Sequence, residues 1–115
     1  MIKNYKKKNK LKFICTDFLI HKFDKSFDVI LSLANHHTFD KGIPNSLLYF
    51  DKIKKIISSK GILFLESHPS LYEKPLEFER LTDSLKEDFT ILDKGEYDFG
   101  NVFDNTRRFY ILQKN

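Results

Sequence analysis

The chain has 115 residues, 41% of them hydrophobic and 31% charged, a balance that fits one small globular domain and excludes a disordered polymer or a multidomain assembly. Six of its 20 basic residues are lysines within residues 1–12, where no acidic residue occurs, so the rest of the chain has a net charge of −2. We therefore expect residues 1–10 to be a basic tail or the end of a remnant helix, and residues 11–115 to form the domain.

The types of basic residue limit the classes of binding partner, and the single cysteine bears on the cellular compartment. Seventeen of the 20 basic residues are lysines, whereas recognition of phosphates and bases usually recruits arginine. Cys15 has no second cysteine with which to form an intrachain disulfide. No apolar run approaches the roughly 18 residues of a membrane span. We expect a cytoplasmic protein that binds neither nucleic acid nor membrane.

Three apolar runs predict strands, over residues 11–16, Phe27–Leu33 and 61–65. The second and third runs do not alternate between apolar and polar residues. Strands that are apolar on both faces are typical of a parallel sheet covered by helices, because a sheet with one wet face alternates. The sequence therefore predicts an α/β fold.

Helical spacing of apolar residues predicts a helix over residues 45–59, which Pro44 and Asn45 begin and Lys60-Gly61 end. A second helix is predicted over residues 75–88. Two further strands, over residues 89–92 and 107–112, are expected to pair antiparallel across a loop that contains Gly95, Gly100 and Asn101. The predicted sheet is mostly parallel, with a C-terminal antiparallel hairpin.

Ligands of parallel sheets bind at the carboxyl ends of the strands, so the polar residues that follow each strand are the candidates for a site. They form three groups that we expect to meet at one edge of the sheet. The groups are Asp17 and Phe18; Ser32, Asn35, His36, His37 and Thr38; and Glu66, Ser67, His68 and Pro69.

The stretch FDVILSLANHH, residues 27–37, resembles the fourth strand and following loop of the class I (Rossmann-like) S-adenosylmethionine-dependent methyltransferases. The predicted helix 45–59 with the strand 61–65 is similar to the next helix and fifth strand of that family, and the hairpin to its sixth and seventh strands. The resemblance implies a partial methyltransferase sheet and S-adenosylmethionine as the cofactor.

The resemblance also implies roles for individual residues. Asp17 would hold the adenine amino group, and cofactor contacts are further expected from Phe18, Ser32, Leu33 and Asn35. His37 is the candidate general base, because a neutral imidazole accepts a proton near pH 7. The remaining candidates, His36, Glu66 and His68, would contact the methyl acceptor.

Several of these candidate residues also have an alternative explanation. Asp17 is also suited to capping a strand end, and of His36 and His37 one can pack while the other is solvated. Glu66 and His68 with one of these histidines would also make a metal site of two histidines and a carboxylate, although their spacing matches no known ligand motif. Arg107 and Arg108 are interpreted as paired cations on an edge strand rather than as a phosphate site.

The chain lacks counterparts of the family's first strand, its glycine-rich turn and its acid after strand two, and so resembles the C-terminal two-thirds of a methyltransferase. We expect a truncated or split enzyme, with weak or no cofactor binding and no turnover when alone.

In the family's sheet order, the lack of a first strand leaves Phe27–Leu33 as an exposed apolar edge, which favours association with another strand. The strand over residues 11–16 would shift beside it, or a second copy or a separate N-terminal half would pair with it. The alternative function is a non-enzymatic interaction module that pairs through this strand.

Overall fold

The protein is described from a computed structural model, which covers residues 11–33, 43–67, 83–98 and 106–115. The predicted basic tail, residues 1–10, lies outside these ranges. In chain order the elements are β1 (Phe27–Leu33), α1 (Ile43–Ile56), β2 (Ile57–Ser67), β3 (Phe89–Asp98) and β4 (Thr106–Lys114). None of the helices within the described ranges is long and apolar enough to span a bilayer.

The four strands form one sheet in the order β1-β2-β4-β3. β1 and β2 are parallel, while β4 is antiparallel to both of its neighbours, β2 and β3. The predicted α/β fold with a C-terminal antiparallel hairpin is confirmed, and the bounds of β1 are those predicted. Of the three strand pairs described, β1–β2 alone is parallel, so this part of the sheet is mixed and not mostly parallel. Among the described strands β4 is internal, so the assignment of Arg107 and Arg108 to an edge strand was wrong.

The strand predicted over residues 11–16 is not formed. These residues have no regular secondary structure, and Leu11, Phe13 and Ile14 are exposed. β-branched and aromatic residues favour a strand only where a neighbouring strand takes up the backbone hydrogen bonds. The segment has not shifted beside β1, which pairs with β2 alone among the described strands.

The hydrophobic core lies on the side of the sheet that α1 covers. Leu63 and Leu65 of β2 are fully buried there, against Phe50 and Ile53 of α1, which are each 1% exposed. Because side chains alternate along a strand, the intervening residues of β2 point to the opposite side, which we call the open face. Phe64 and Glu66 are half-buried on that face.

The connection between α1 and β2 is shorter than predicted, since β2 begins at the residue after the end of α1. α1 ends at Ile56 rather than at residue 59, because Ile57 is already paired with Phe27 of β1. Lys60 has a φ of 64°, in the left-handed region. A Cβ on Gly61 would lie 2.8 Å from the carbonyl oxygen of Ser58, so only glycine fits at that position.

The hairpin is longer than predicted. Gly95 lies inside β3 and not in the loop, and a Cβ there would come within 2.9 Å of the Phe109 ring, which therefore occupies the space of the missing side chain. Of the second predicted helix, residues 83–85 are helical and are followed by a turn, and Leu85 is buried. Residues 75–82 of that prediction lie outside the described ranges.

Candidate functional site

Phe18 and Ser32, which are separated along the chain, are brought together by Tyr49 of α1. The Phe18 and Tyr49 rings have centroids 5.2 Å apart. The Tyr49 hydroxyl is 2.7 Å from Oγ of Ser32, near the carboxyl end of β1. The first two groups of candidate residues were expected to lie together at one end of the sheet. Phe18 of the first group and Ser32 of the second do so, since both contact Tyr49.

Asp17 begins the turn that carries Phe18. Its Oδ1 accepts a hydrogen bond from the backbone N–H of Leu19 at 2.9 Å, and its carbonyl oxygen accepts from the N–H groups of Ile20 and His21. This is the capping arrangement that aspartate favours at the start of a turn. The side chain is exposed, so capping leaves it accessible to a ligand.

Lys52 fixes this turn against α1. Its ammonium donates to the carbonyl oxygen of His21 and lies 5.2 Å from the centroid of the Phe18 ring and 5.4 Å from that of Phe23. A cation over two aromatic faces is attracted by both rings. The position of Phe18 is thus determined by a residue of α1 that sequence reasoning did not single out.

Ser32 and Leu33 point to opposite sides of the sheet. Ser32 is fully buried and engages Tyr49, whereas Leu33 is 49% exposed on the open face. Burial raises the pKa of Tyr49, and the hydrogen bond with Ser32 offsets only part of that rise. The Ser32 hydroxyl therefore belongs to the core, and a ligand at this strand end would meet Leu33.

Glu66 lies in a cluster with two residues of the hairpin, Tyr97 and Arg107, which we call the open-face cluster. The Tyr97 hydroxyl donates to Oε2 of Glu66, and Nε of Arg107 lies 3.6 Å from its Oε1. The Glu66 and Arg107 side chains are 15% and 20% exposed, so the pair is largely shielded from water. Tyr97 and Arg107 therefore each contact a different oxygen of the Glu66 carboxylate.

Burial, together with the hydrogen bond to Glu66 and the charge of Glu66, raises the pKa of Tyr97 to about 12. The phenol therefore remains protonated at neutral pH and acts as a hydrogen-bond donor, not as a base. Phe109 provides an aromatic neighbour, with its ring centroid 6.1 Å from that of Tyr97 and 6.0 Å from that of Phe64.

Sequence reasoning selected Glu66 but missed Tyr97, and it placed Arg107 on an edge. Tyr97 and Arg107 are partners in the register of β3 and β4, and Arg107 is two residues from the partner of Glu66, Phe109. Only the register of three strands reveals this cluster. Leu33 is itself the partner of Glu66, so both predicted residues lie at the same end of the sheet.

Four predicted site residues, Asn35, His36, His37 and His68, lie outside the described ranges. The histidines of the alternative metal site are among them. Within the described ranges, no three side chains of the His, Cys, Asp and Glu types are grouped as metal ligands. A groove of about 680 Å³ between the turn at residues 19–23 and α1 is lined by Lys22, Lys52 and Lys55, and by none of the predicted site residues.

No protein-family model matches the sequence, and no curated protein matches it. Several solved structures match the chain. Over 96% of its length the chain matches the N-methyltransferase NodS from Bradyrhizobium japonicum WM9, with a TM-score of 0.74 and 14% identity. NodS in complex with S-adenosyl-L-homocysteine gives the same TM-score at 13% identity. An S-adenosylmethionine-dependent methyltransferase from Clostridium acetobutylicum ATCC 824 matches 99% of the chain with a TM-score of 0.70 and 12% identity.

The match spans 65% and 59% of the two NodS chains, less than two-thirds of their length, and 69% of the Clostridium protein. At these identities the likeness concerns the fold alone. The fold is part of that of the S-adenosylmethionine-dependent methyltransferases, which confirms the resemblance found in the sequence.

Proposed function

We propose that this chain, which has part of the fold of S-adenosylmethionine-dependent methyltransferases, provides the adenine side and the acceptor side of a methyl-transfer site. The observation that carries the proposal is the superposition of 96% of the chain on a methyltransferase that has been solved with S-adenosyl-L-homocysteine. The reaction would be an in-line displacement at the sulfonium carbon, which depends mainly on positioning. Its compartment would be the cytoplasm.

Asp17 and Phe18 are the residues that we propose for the cofactor. The exposed Asp17 carboxylate accepts hydrogen bonds and suits an adenine amino group, while the Phe18 ring is held by Tyr49 and Lys52. Leu33 offers an exposed apolar surface near the same end of β1. Asn35 would complete the set.

The open-face cluster supports an acceptor role for Glu66. Its carboxylate is fixed by Tyr97 and Arg107, and a fixed carboxylate can orient a hydrogen-bond donor of the acceptor. Tyr97 donates its phenolic hydrogen to Glu66 and stays protonated at neutral pH, so it offers no tyrosinate lone pair with which to take the acceptor's proton. We propose His37 as the general base, because a neutral imidazole accepts a proton near pH 7, with His36 and His68 as further acceptor contacts.

The test is a calorimetric titration of the folded chain with S-adenosyl-L-homocysteine, which requires no acceptor. Saturable binding that weakens at least tenfold in Asp17→Asn supports the cofactor role. Asparagine still caps the turn, so this variant changes charge while preserving local structure. Asp24→Asn, an exposed acid in the same connection, is the matched control and should bind like the unsubstituted chain.

Saturable binding that is the same in both variants contradicts the role of Asp17, and a folded chain that shows no saturable binding contradicts a cofactor site in the chain alone. Such a result would favour the second candidate, a non-enzymatic module that associates through β1. The exposed apolar residues of that strand support this candidate. Its partner would be a second copy of the chain or a separate N-terminal half of the enzyme.

A further inference from the structure

β1 combines an unpaired edge with apolar side chains that face water. Among the described strands it pairs with β2 alone. On the open face, Val29 and Leu31 are each 60% exposed and Leu33 is 49% exposed. No charged residue occurs from Val29 to Leu33. An edge of this kind is a template for another strand, because no described strand takes up its outward backbone groups and its apolar side chains face water.

The other edge of the sheet, β3, is built differently. It carries Asp93, Lys94 and Glu96, and its register with β4 shifts between Ile91 and Asp93. Charged residues and bulges are the features with which natural sheets prevent pairing at an edge. Association by strand addition is therefore directed to β1.

We propose that β1 pairs with the β1 strand of a second copy of this chain, antiparallel about a two-fold axis at Leu31, to form a continuous eight-stranded sheet. This inference names one partner and one geometry for the association through β1 given above as the second candidate, and it does not depend on the cofactor site. The second copy fits because the strand is complementary to itself. On the open face Leu31 meets Leu31 and Val29 meets Leu33, and on the helix side Ile30 meets Ser32.

This pairing brings no like charges together and buries no charge. Directly opposite apolar pairs in antiparallel strands stabilise the pairing. It also continues the apolar surface of the open face across the axis, since Leu31 is the partner of Phe64 in the register of β1 and β2. A β1-to-β1 contact is isologous, so it pairs the β1 edges of both chains with each other. The β3 edges are protected by their charges and the bulge. Assembly therefore stops at two chains.

The first test is the mass of the chain in solution, measured by size-exclusion chromatography with light scattering over a dilution series. We expect twice the chain mass at high concentration and the single-chain mass in Leu31→Lys, because the axis would bring two ammonium groups together. Leu92→Lys is the matched control, since Leu92 is 52% exposed on β3, and it should remain a dimer. Circular dichroism establishes that each variant is folded.

The second test fixes the register and does not rely on a disruptive variant. In a Cys15→Ser background, Leu31→Cys should form an intermolecular disulfide on mild oxidation, because the two Cβ atoms across the axis are close enough to be bridged. Leu92→Cys in the same background should not. A folded chain that stays monomeric at its highest attainable concentration, or loss of the dimer in Leu92→Lys alone, overturns the proposal.

Efficient cross-linking through residue 92 but not residue 31 also overturns it. A dimer without S-adenosyl-L-homocysteine binding contradicts the proposed function alone, and a monomer that binds the ligand contradicts the dimer alone.

Discussion

The two edges of the sheet differ in almost every property that governs strand association. β1 is uncharged from Val29 to Leu33 and exposes three apolar side chains, whereas β3 is charged and bulged. β3 is thus suited to an edge, while β1 has the two-sided apolar character of an internal strand. The composition of a strand can therefore differ from what its place in the sheet requires, and this difference is the reason for the proposed pairing of β1.

The largest expected effect comes from the glycines beside the two edges. Gly61→Ala should lower the free energy of unfolding by about 1–3 kcal/mol, because the new methyl group would come within 2.8 Å of the backbone oxygen of Ser58 and 3.2 Å of that of Asp28, and backbone atoms cannot move aside easily. Gly95→Ala should cost less, since the Phe109 ring that it meets can move. Urea unfolding of both variants measures this order. A larger loss in Gly95→Ala would mean that the β3 side is the more rigid.

A second prediction concerns the cluster that joins β2 to the β3 side. Glu66→Gln should lower the pKa of Tyr97 from about 12 toward its ordinary 10, although the share due to burial remains. A raised tyrosine pKa stabilises the fold fully below pH 10, and that contribution is lost as the pH rises through about 12. The variant should therefore lose less stability in this alkaline range.

Absorbance of tyrosinate against pH measures this change, and Tyr97→Phe identifies the transition by removing it. A transition of Tyr97 that is unchanged in Glu66→Gln would show that Glu66 does not hold the phenol.

The smallest effect is expected where α1 meets the start of β3. Asp88 lies 3.0 Å from Lys54, and the hydrogen bond and charge of Lys54 lower its pKa below the ordinary 3.8. The resulting stability is present above pH 3.8 and is lost as the pH falls through the lowered value. Asp88→Asn should make acid unfolding slightly less steep, because exposed ion pairs contribute little. Lys54→Gln should act in the same direction and at least as strongly, because Lys54 also lies 3.5 Å from Asp51; an acid profile unchanged in Lys54→Gln would contradict the pairing.

The sequence was most informative where a local pattern and its neighbours agree. The bounds of β1 followed from its apolar run, whereas Lys60-Gly61, predicted to end the helix, lies inside β2. The strand over residues 11–16 failed because propensity cannot supply a pairing partner. Gly95 was assigned to a loop because a single glycine does not reveal that a ring from another strand covers it.

By itself, the sequence determined the α/β class and the antiparallel hairpin, because these follow from apolar periodicity and the order of elements along the chain. The resemblance to the methyltransferases rested instead on the stretch at residues 27–37 and the elements that follow it. Only the tertiary structure decided that Tyr97 and Arg107 meet Glu66, and that Tyr49 connects Phe18 to Ser32. Contacts of that kind depend on the register between strands and on the packing of a helix across the sheet, where one residue's shift reverses which face a side chain occupies.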